Sequence, residues 1–193
     1  MRTVPVAFHP LARLLHWLMA VLILAMLFVG VSMITDLSPR HTWLLGLHKA
    51  IGLALLLLVL VRIVLRLTLP HPPLPADMPT LQRLAAGASH LLLYALMLAM
   101  PLIGWGMLSA GGYPLPLQLP ALLPHDLQLY AVLRQAHGAL AYLLFATVLL
   151  HLGAALVHGL VRRDGVLRSM WPAGHNRLSR PYRRAAKASR NVL

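Results

Sequence analysis

Four stretches of this chain are long and apolar enough to cross a membrane, and nothing else in the sequence limits its fold as strongly. Crossing the hydrocarbon core takes about 20 mostly apolar residues in a helix. Residues 14–34 meet this, interrupted by His16, Gly30 and Ser32. Residues 43–65 meet it with His48, Lys49 and Arg62 near the ends, and residues 136–160 meet it while carrying His137, His151 and His158. Residues 91–108 are shorter and contain Pro101, which predicts a kink. In lipid, backbone groups must find partners within the segment, so these stretches are helices. The expected fold is all-α, an integral membrane four-helix bundle. Composition agrees: 59% of residues are apolar and 11% charged, against about 25% charged in soluble domains. The first stretch is too long for the apolar core of a signal peptide and no small-residue cleavage site follows it clearly, so it reads as a retained span.

The connections are rich in proline. Pro70, Pro72, Pro73, Pro75 and Pro79 make the second loop extended. The apolar run from Gly111 to Pro124 cannot span, because Pro114, Pro116, Pro120 and Pro124 interrupt it. It is expected against the membrane surface or over the end of the bundle. Asp126 is the expected N-cap of the fourth helix. One domain is expected over residues 1–172, followed by a basic, disordered tail at 173–193. Arg2 and Arg13, then Arg62, Arg66 and Arg83, then nine cations from Arg162 onward fall on one side. Arg40, Lys49 and Arg134 fall on the other. The positive-inside rule puts both termini in the cytoplasm. The net charge of +13 is then directed at anionic lipid rather than nucleic acid.

Ionisable groups inside a span call for a functional explanation. His137 and His151 are 14 residues apart, about 3.9 helical turns, so they share a face and lie about 21 Å apart along the axis. His16 matches the depth of His151 near the cytoplasm, and His48 matches His137 near the outer surface. Two facing pairs follow. Each offers too few ligands for zinc. With no Glu and no Cys, a di-iron carboxylate site, an iron–sulfur cluster, a disulfide and thioether-linked haem are all excluded. A proton relay would be expected to use intramembrane carboxylates, which these spans lack. Haem with two axial imidazoles fits best. Small residues beside these histidines (Gly46, Ala50 and Gly52; Gly138, Ala139 and Ala141; Gly153, Ala154 and Ala155) would make room for the ring, though ordinary close helix packing in membranes also explains them and needs no cofactor. Arg13, Lys49 and Arg62 are candidates for haem propionates or for simple snorkelling.

Several local stretches then identify a resemblance. They are Leu15-His16-Trp17, Leu47-His48-Lys49, Val61-Arg62 with Arg66 before Pro70-His71-Pro72-Pro73, Ser89-His90-Leu91 with Tyr94, Met100 to Gly104, Ala136-His137, Leu150-His151, and Arg163 to Arg168. In this order and spacing, from His16 to Trp171, the chain resembles the bacterial cytochrome b561 family. The resemblance implies a multi-pass protein of the bacterial inner membrane holding two haem b groups, His16 and His151 ligating the inner and His48 and His137 the outer. It implies electron exchange with ubiquinone, and a superoxide-to-ubiquinone oxidoreductase activity is attributed to some members.

Bis-imidazole ligation leaves iron no open position and favours outer-sphere electron transfer. The donor would be a small anion, steered by Arg40, Lys49 and Arg134, or a protein. His90 is read either as a contact of the inner haem or quinone or as an interfacial residue. His158 is a candidate for contacting propionate or quinone, or for replacing His151. His9, His41, His71, His125 and His175 are expected in solvated loops or tails. Two other function classes stand beside this one: a haem-bearing anchor subunit serving a partner dehydrogenase or hydrogenase, docked through the Pro-Leu loop, and a haem-free transporter or sensor. A homodimer is an assembly compatible with either haem-bearing reading.

Overall fold

The structure, a computed structural model, describes residues 7–35, 38–75 and 77–171. Four long helices make up most of it: α1 (Pro10–Thr35), α2 (Arg40–Thr68), α3 (Thr80–Ala110) and α4 (Leu127–Leu156). All four are long and apolar enough to cross a membrane. A π-helical turn (Val157–Arg162) prolongs α4, and a short helix, α5 (Val166–Ser169), follows. The chain is all-α and crosses the membrane four times. The tail at 173–193, with its expected disorder, lies outside the described residues, as do Arg2 and His175.

Every helix is longer than its apolar stretch. α1 opens at Pro10, whose fixed φ and missing N–H suit a first helical position. α2 opens at Arg40, so His41 belongs to its first turn rather than to a loop. α3 starts eleven residues before residue 91, and α4 nine before residue 136. Residues such as Leu81, Gln82, Arg83, Leu84, Ala85 and Ala86 favour helix without being uniformly apolar. Apolarity marks the lipid-immersed part of a helix and propensity sets its full length. α3 runs unbroken through Pro101.

The Asp126 side chain caps α4, accepting from the amides of Gln128 at 2.8 Å and Leu129 at 3.0 Å. Residues 111–126 fold back over the end of α3. Trp105 Nε1 donates to the Pro120 carbonyl at 3.0 Å, and Ser109 Oγ accepts from the Leu122 amide at 3.0 Å. This end, with the α1–α2 connection, is called the loop end. The opposite end, where α1 begins and α4 finishes, is the tail end.

α5 is stapled to α1 at the tail end. The Phe8 amide donates to the Ser169 carbonyl at 3.2 Å, Trp17 Nε1 to the Met170 carbonyl at 2.8 Å, and Arg13 Nη1 to the Trp171 carbonyl at 2.9 Å. The Trp17 and Trp171 rings meet edge to face at 5.6 Å. α5 lies so close to Gly159 that a Cβ there would fall 2.3 Å from Leu167 Cδ2. A larger residue at 159 would force the Leu167 side chain to turn aside. Between the two ends, the buried core joins Leu15 and Met19 of α1 to Leu56 and Val59 of α2, with Tyr94, Met97 and Trp105 of α3 packed against them.

Candidate functional site

The histidines gather at two levels. At the loop end, His48 of α2 faces His137 of α4, with ring centroids 6.1 Å apart and planes at 66°. The other two helices supply glycines beside these rings. A Cβ on Gly30 of α1 would lie 3.8 Å from His48 Cε1, and one on Gly104 of α3 would lie 3.5 Å from His137 Cε1. Nδ1 of both imidazoles is buried with no hydrogen-bond partner. The Met100 carbonyl lies beside His137, but not in a geometry that satisfies that nitrogen. Unpaired buried polar atoms cost about 1–3 kcal/mol each, so two in one place suit a site built to hold something further. Lys49 is turned to another use: its Nζ donates to the Pro114 carbonyl at 3.2 Å and ties the capping loop to α2.

At the tail end, His16 of α1 faces His151 of α4, with centroids 6.3 Å apart and planes at 69°. His90 of α3 joins them, 5.5 Å from His151. Arg62 of α2 donates from Nη2 to His16 Nδ1 at 3.0 Å and from Nη1 to the Ala12 carbonyl at 3.4 Å. A guanidinium only donates, so His16 Nδ1 is the acceptor in this contact. Each of the four helices therefore places one side chain at this level. Arg13, a candidate for propionate, instead holds the Trp171 carbonyl.

His158 lies away from both levels, in a network of its own. Arg162 donates to Gln82 Oε1, which turns the Gln82 amide nitrogen towards His158 Nε2, 3.0 Å away. That nitrogen must then accept, so Nδ1 carries the proton and donates to Asp164. With both ring nitrogens engaged, His158 is not placed to replace His151. Burial pushes the Asp164 carboxyl up, but the hydrogen bonds from His158 and the Val166 amide outweigh it and hold the group below its ordinary 3.8.

The separation within each pair carries a chemical meaning. A metal–imidazole bond is about 2 Å long. Two such bonds in line, plus the half-width of each ring, put the centroids about 6 Å apart. Both pairs match that spacing. The sequence also matches the family model for prokaryotic cytochrome b561 over residues 7–173. The chain belongs to the prokaryotic cytochrome b561 family. It is 31% identical to cytochrome b561 homolog 2 of Escherichia coli over 174 residues, covering 86% of this chain and 92% of that protein. It is also 31% identical to a probable superoxide oxidase, CybB, of Yersinia pestis over 165 residues, 82% of this chain and 92% of the relative. Cytochrome b561 homolog 1 of Escherichia coli is 23% identical over 164 residues, 82% of this chain and 93% of that one. As a member of this family the chain is a multi-pass b-type cytochrome of the bacterial inner membrane, and it transfers electrons.

Two glycines complete the loop-end level. Nothing in the sequence assigned Gly30 a role beside His48, and Gly104 had only a place in one of the stretches that carry the resemblance. Gln82, Asp164 and Trp171 act through contacts between parts of the chain far apart in sequence.

Proposed function

We propose that this b561 cytochrome holds two b-type haems, one between His48 and His137 and one between His16 and His151, and passes electrons across the membrane to ubiquinone. The observation that carries this reading is the pair of facing imidazoles at each of two levels, 6.1 and 6.3 Å apart. Four of the chain's eleven histidines are thereby accounted for in the place where an ionisable side chain is hardest to keep. The unpaired Nδ1 atoms and the glycines beside the rings at the loop end support it.

When bound, haem with two imidazole ligands supplies a one-electron couple with no open position on iron. The chain does the rest. Its apolar helices keep water from both levels. Arg62 places a guanidinium beside His16. With both termini in the cytoplasm, the loop end faces outward and presents Arg40, Lys49 and Arg134. These cations would attract an anionic donor. The likeness to a protein named a probable superoxide oxidase supports superoxide as that donor, each anion losing one electron to become dioxygen.

A redox-controlled visible spectrum of the purified chain, with its haem-to-protein ratio, tests this reading. A ratio near two with sharp reduced b-type bands is expected. A ratio near one would remove the two-level reading, and no haem at all would remove the function.

A further inference from the structure

The outer face of α4 carries a polar group that nothing in the described chain satisfies. Tyr142 lies five residues after His137 and nine before His151. At about 100° per residue it points away from both, towards the lipid side of the helix, and it is 70% exposed. Its depth falls between the two histidine levels, about 7.5 Å inside that of His137. A tyrosine side chain is shorter than that, so the hydroxyl stays within the hydrocarbon even when it leans towards the loop end, as the side chains of α4 do. Among the described residues none forms a hydrogen bond with it. Lipid tails offer no partner either, and a hydroxyl left unpaired there is costly. The lipid face of α1 shows the contrast: its exposed residues from Leu11 to Ile34 are all apolar. Around Tyr142 on the same face lie Gly138, Phe145, Leu149, Leu152 and Leu156, all exposed. With Tyr142 they recur at alternating steps of four and three, the repeat that keeps one seam of a helix against a partner helix.

We infer that this face joins two copies of the chain, α4 packed on α4 of the partner subunit, with the two Tyr142 hydroxyls hydrogen-bonded to each other. Copies inserted in the same orientation have parallel α4 helices, and a two-fold axis along the membrane normal brings equal depths together. Tyr142 then meets Tyr142 of the partner subunit. A hydroxyl both donates and accepts, so each satisfies the other. Gly138 lies one turn towards the loop end, where the rings lean, and a Cβ there meets nothing within 4 Å. Lacking a side chain, it leaves the rings room between the helices. The histidine faces of both α4 helices point away from the seam, so pairing obstructs neither level. The contact needs neither haem nor quinone.

The chain has no cysteine, so a single one can be introduced as a handle. Leu117→Cys places it in the capping loop rather than on the seam. The haem-loaded full chain with this change, labelled with donor or acceptor dye, is reconstituted in vesicles of phosphatidylethanolamine and phosphatidylglycerol. Energy transfer is followed as protein is diluted by lipid. Transfer above that of randomly distributed chains is expected. Tyr142→Phe keeps the ring and loses the hydroxyl. It is expected to raise the protein density at half association about threefold, the worth of one hydrogen bond between membrane helices, with haem content unchanged. Oxidative crosslinking in membranes locates the contact. Leu149→Cys, on the seam, is expected to form a disulfide-linked dimer about ten times faster than Leu18→Cys. Leu18 is exposed at the matching depth on α1, two residues from His16 as Leu149 is from His151. Transfer no greater than random crowding would mean that lipid alone covers the face, and the inference falls. It falls also if Tyr142→Phe associates as the unsubstituted face does, or if Leu18→Cys crosslinks as fast as Leu149→Cys. A Leu149→Cys product of another mass, a different membrane protein caught on the seam, overturns it too.

Discussion

The two ends of the bundle solve the same problem with different means. At the loop end two imidazoles face each other with glycines beside them and no charged partner on either ring. At the tail end two imidazoles face each other at nearly the same separation, but one receives a guanidinium and the other touches a third imidazole. The loop end is a minimal pair of imidazoles in an apolar setting, and the tail end is the same kind of pair surrounded by hydrogen-bonding groups. The difference teaches that the spacing of the imidazoles and their environment are set independently. Facing helices fix the first, and the neighbouring positions of α2 and α3 fix the second.

The largest effect would come from removing a ligand at one end only. His48→Ala or His137→Ala is expected to halve the haem-to-protein ratio and leave the tail-end spectrum intact. Loss of both haems, or of neither, in a folded variant breaks the independence of the two levels. Next comes the charge that separates the levels. Arg62→Met is expected to lower the midpoint potential of the tail-end haem, because a cation beside a ligand favours the reduced form, and to leave the loop-end potential unmoved. A potentiometric titration followed in the visible bands decides this; equal shifts at both ends would show that Arg62 does not discriminate between them.

Smaller effects follow from packing and anchoring. Gly104→Val would place methyl groups against the His137 ring, since even a Cβ there lies 3.5 Å from it. Haem at the loop end should then be lost more readily on dilution, while Gly104→Ala remains close to wild type. Asp164→Asn is expected to lower stability by about 1–2 kcal/mol, the worth of a charge-assisted hydrogen bond, measured as thermal unfolding in detergent. The folded chain holds Asp164 deprotonated to lower pH than the unfolded chain does. Its contribution is therefore complete well above pH 3.8 and disappears as pH falls through the lower native value. Wild type and Asp164→Asn should converge in stability towards acid pH, and a constant gap between them would separate Asp164 from the effect.

The sequence made the four spans and both histidine pairs legible because each rests on a local rule. Apolar length gives the spans, and the 3.6-residue repeat together with depth brings His48 level with His137 and His16 level with His151. Asp126 as N-cap made the start of α4 at Leu127 legible, but the start of α3 was not, since Thr80 to His90 is helical by propensity rather than by apolarity or a side-chain cap. The network on His158 was not legible either. Its partners Gln82 and Asp164 come from α3 and from the turn after the π-helical segment, and no spacing rule relates them. His90 could be given a depth from its place in α3, but its contact with His151 depends on how α3 rotates against α4.

The staple between α5 and α1 carries a consequence for how the protein is made. Arg13 and Trp17 are made before α2, α3 and α4, and their partners, the carbonyls of Trp171 and Met170, are made after all four helices. Both histidine pairs are complete once α4 has entered the membrane. The His16–His151 level must wait for α5 before its cover can close. A chain that terminates before residue 166 would insert all four spans while leaving the tail end uncapped.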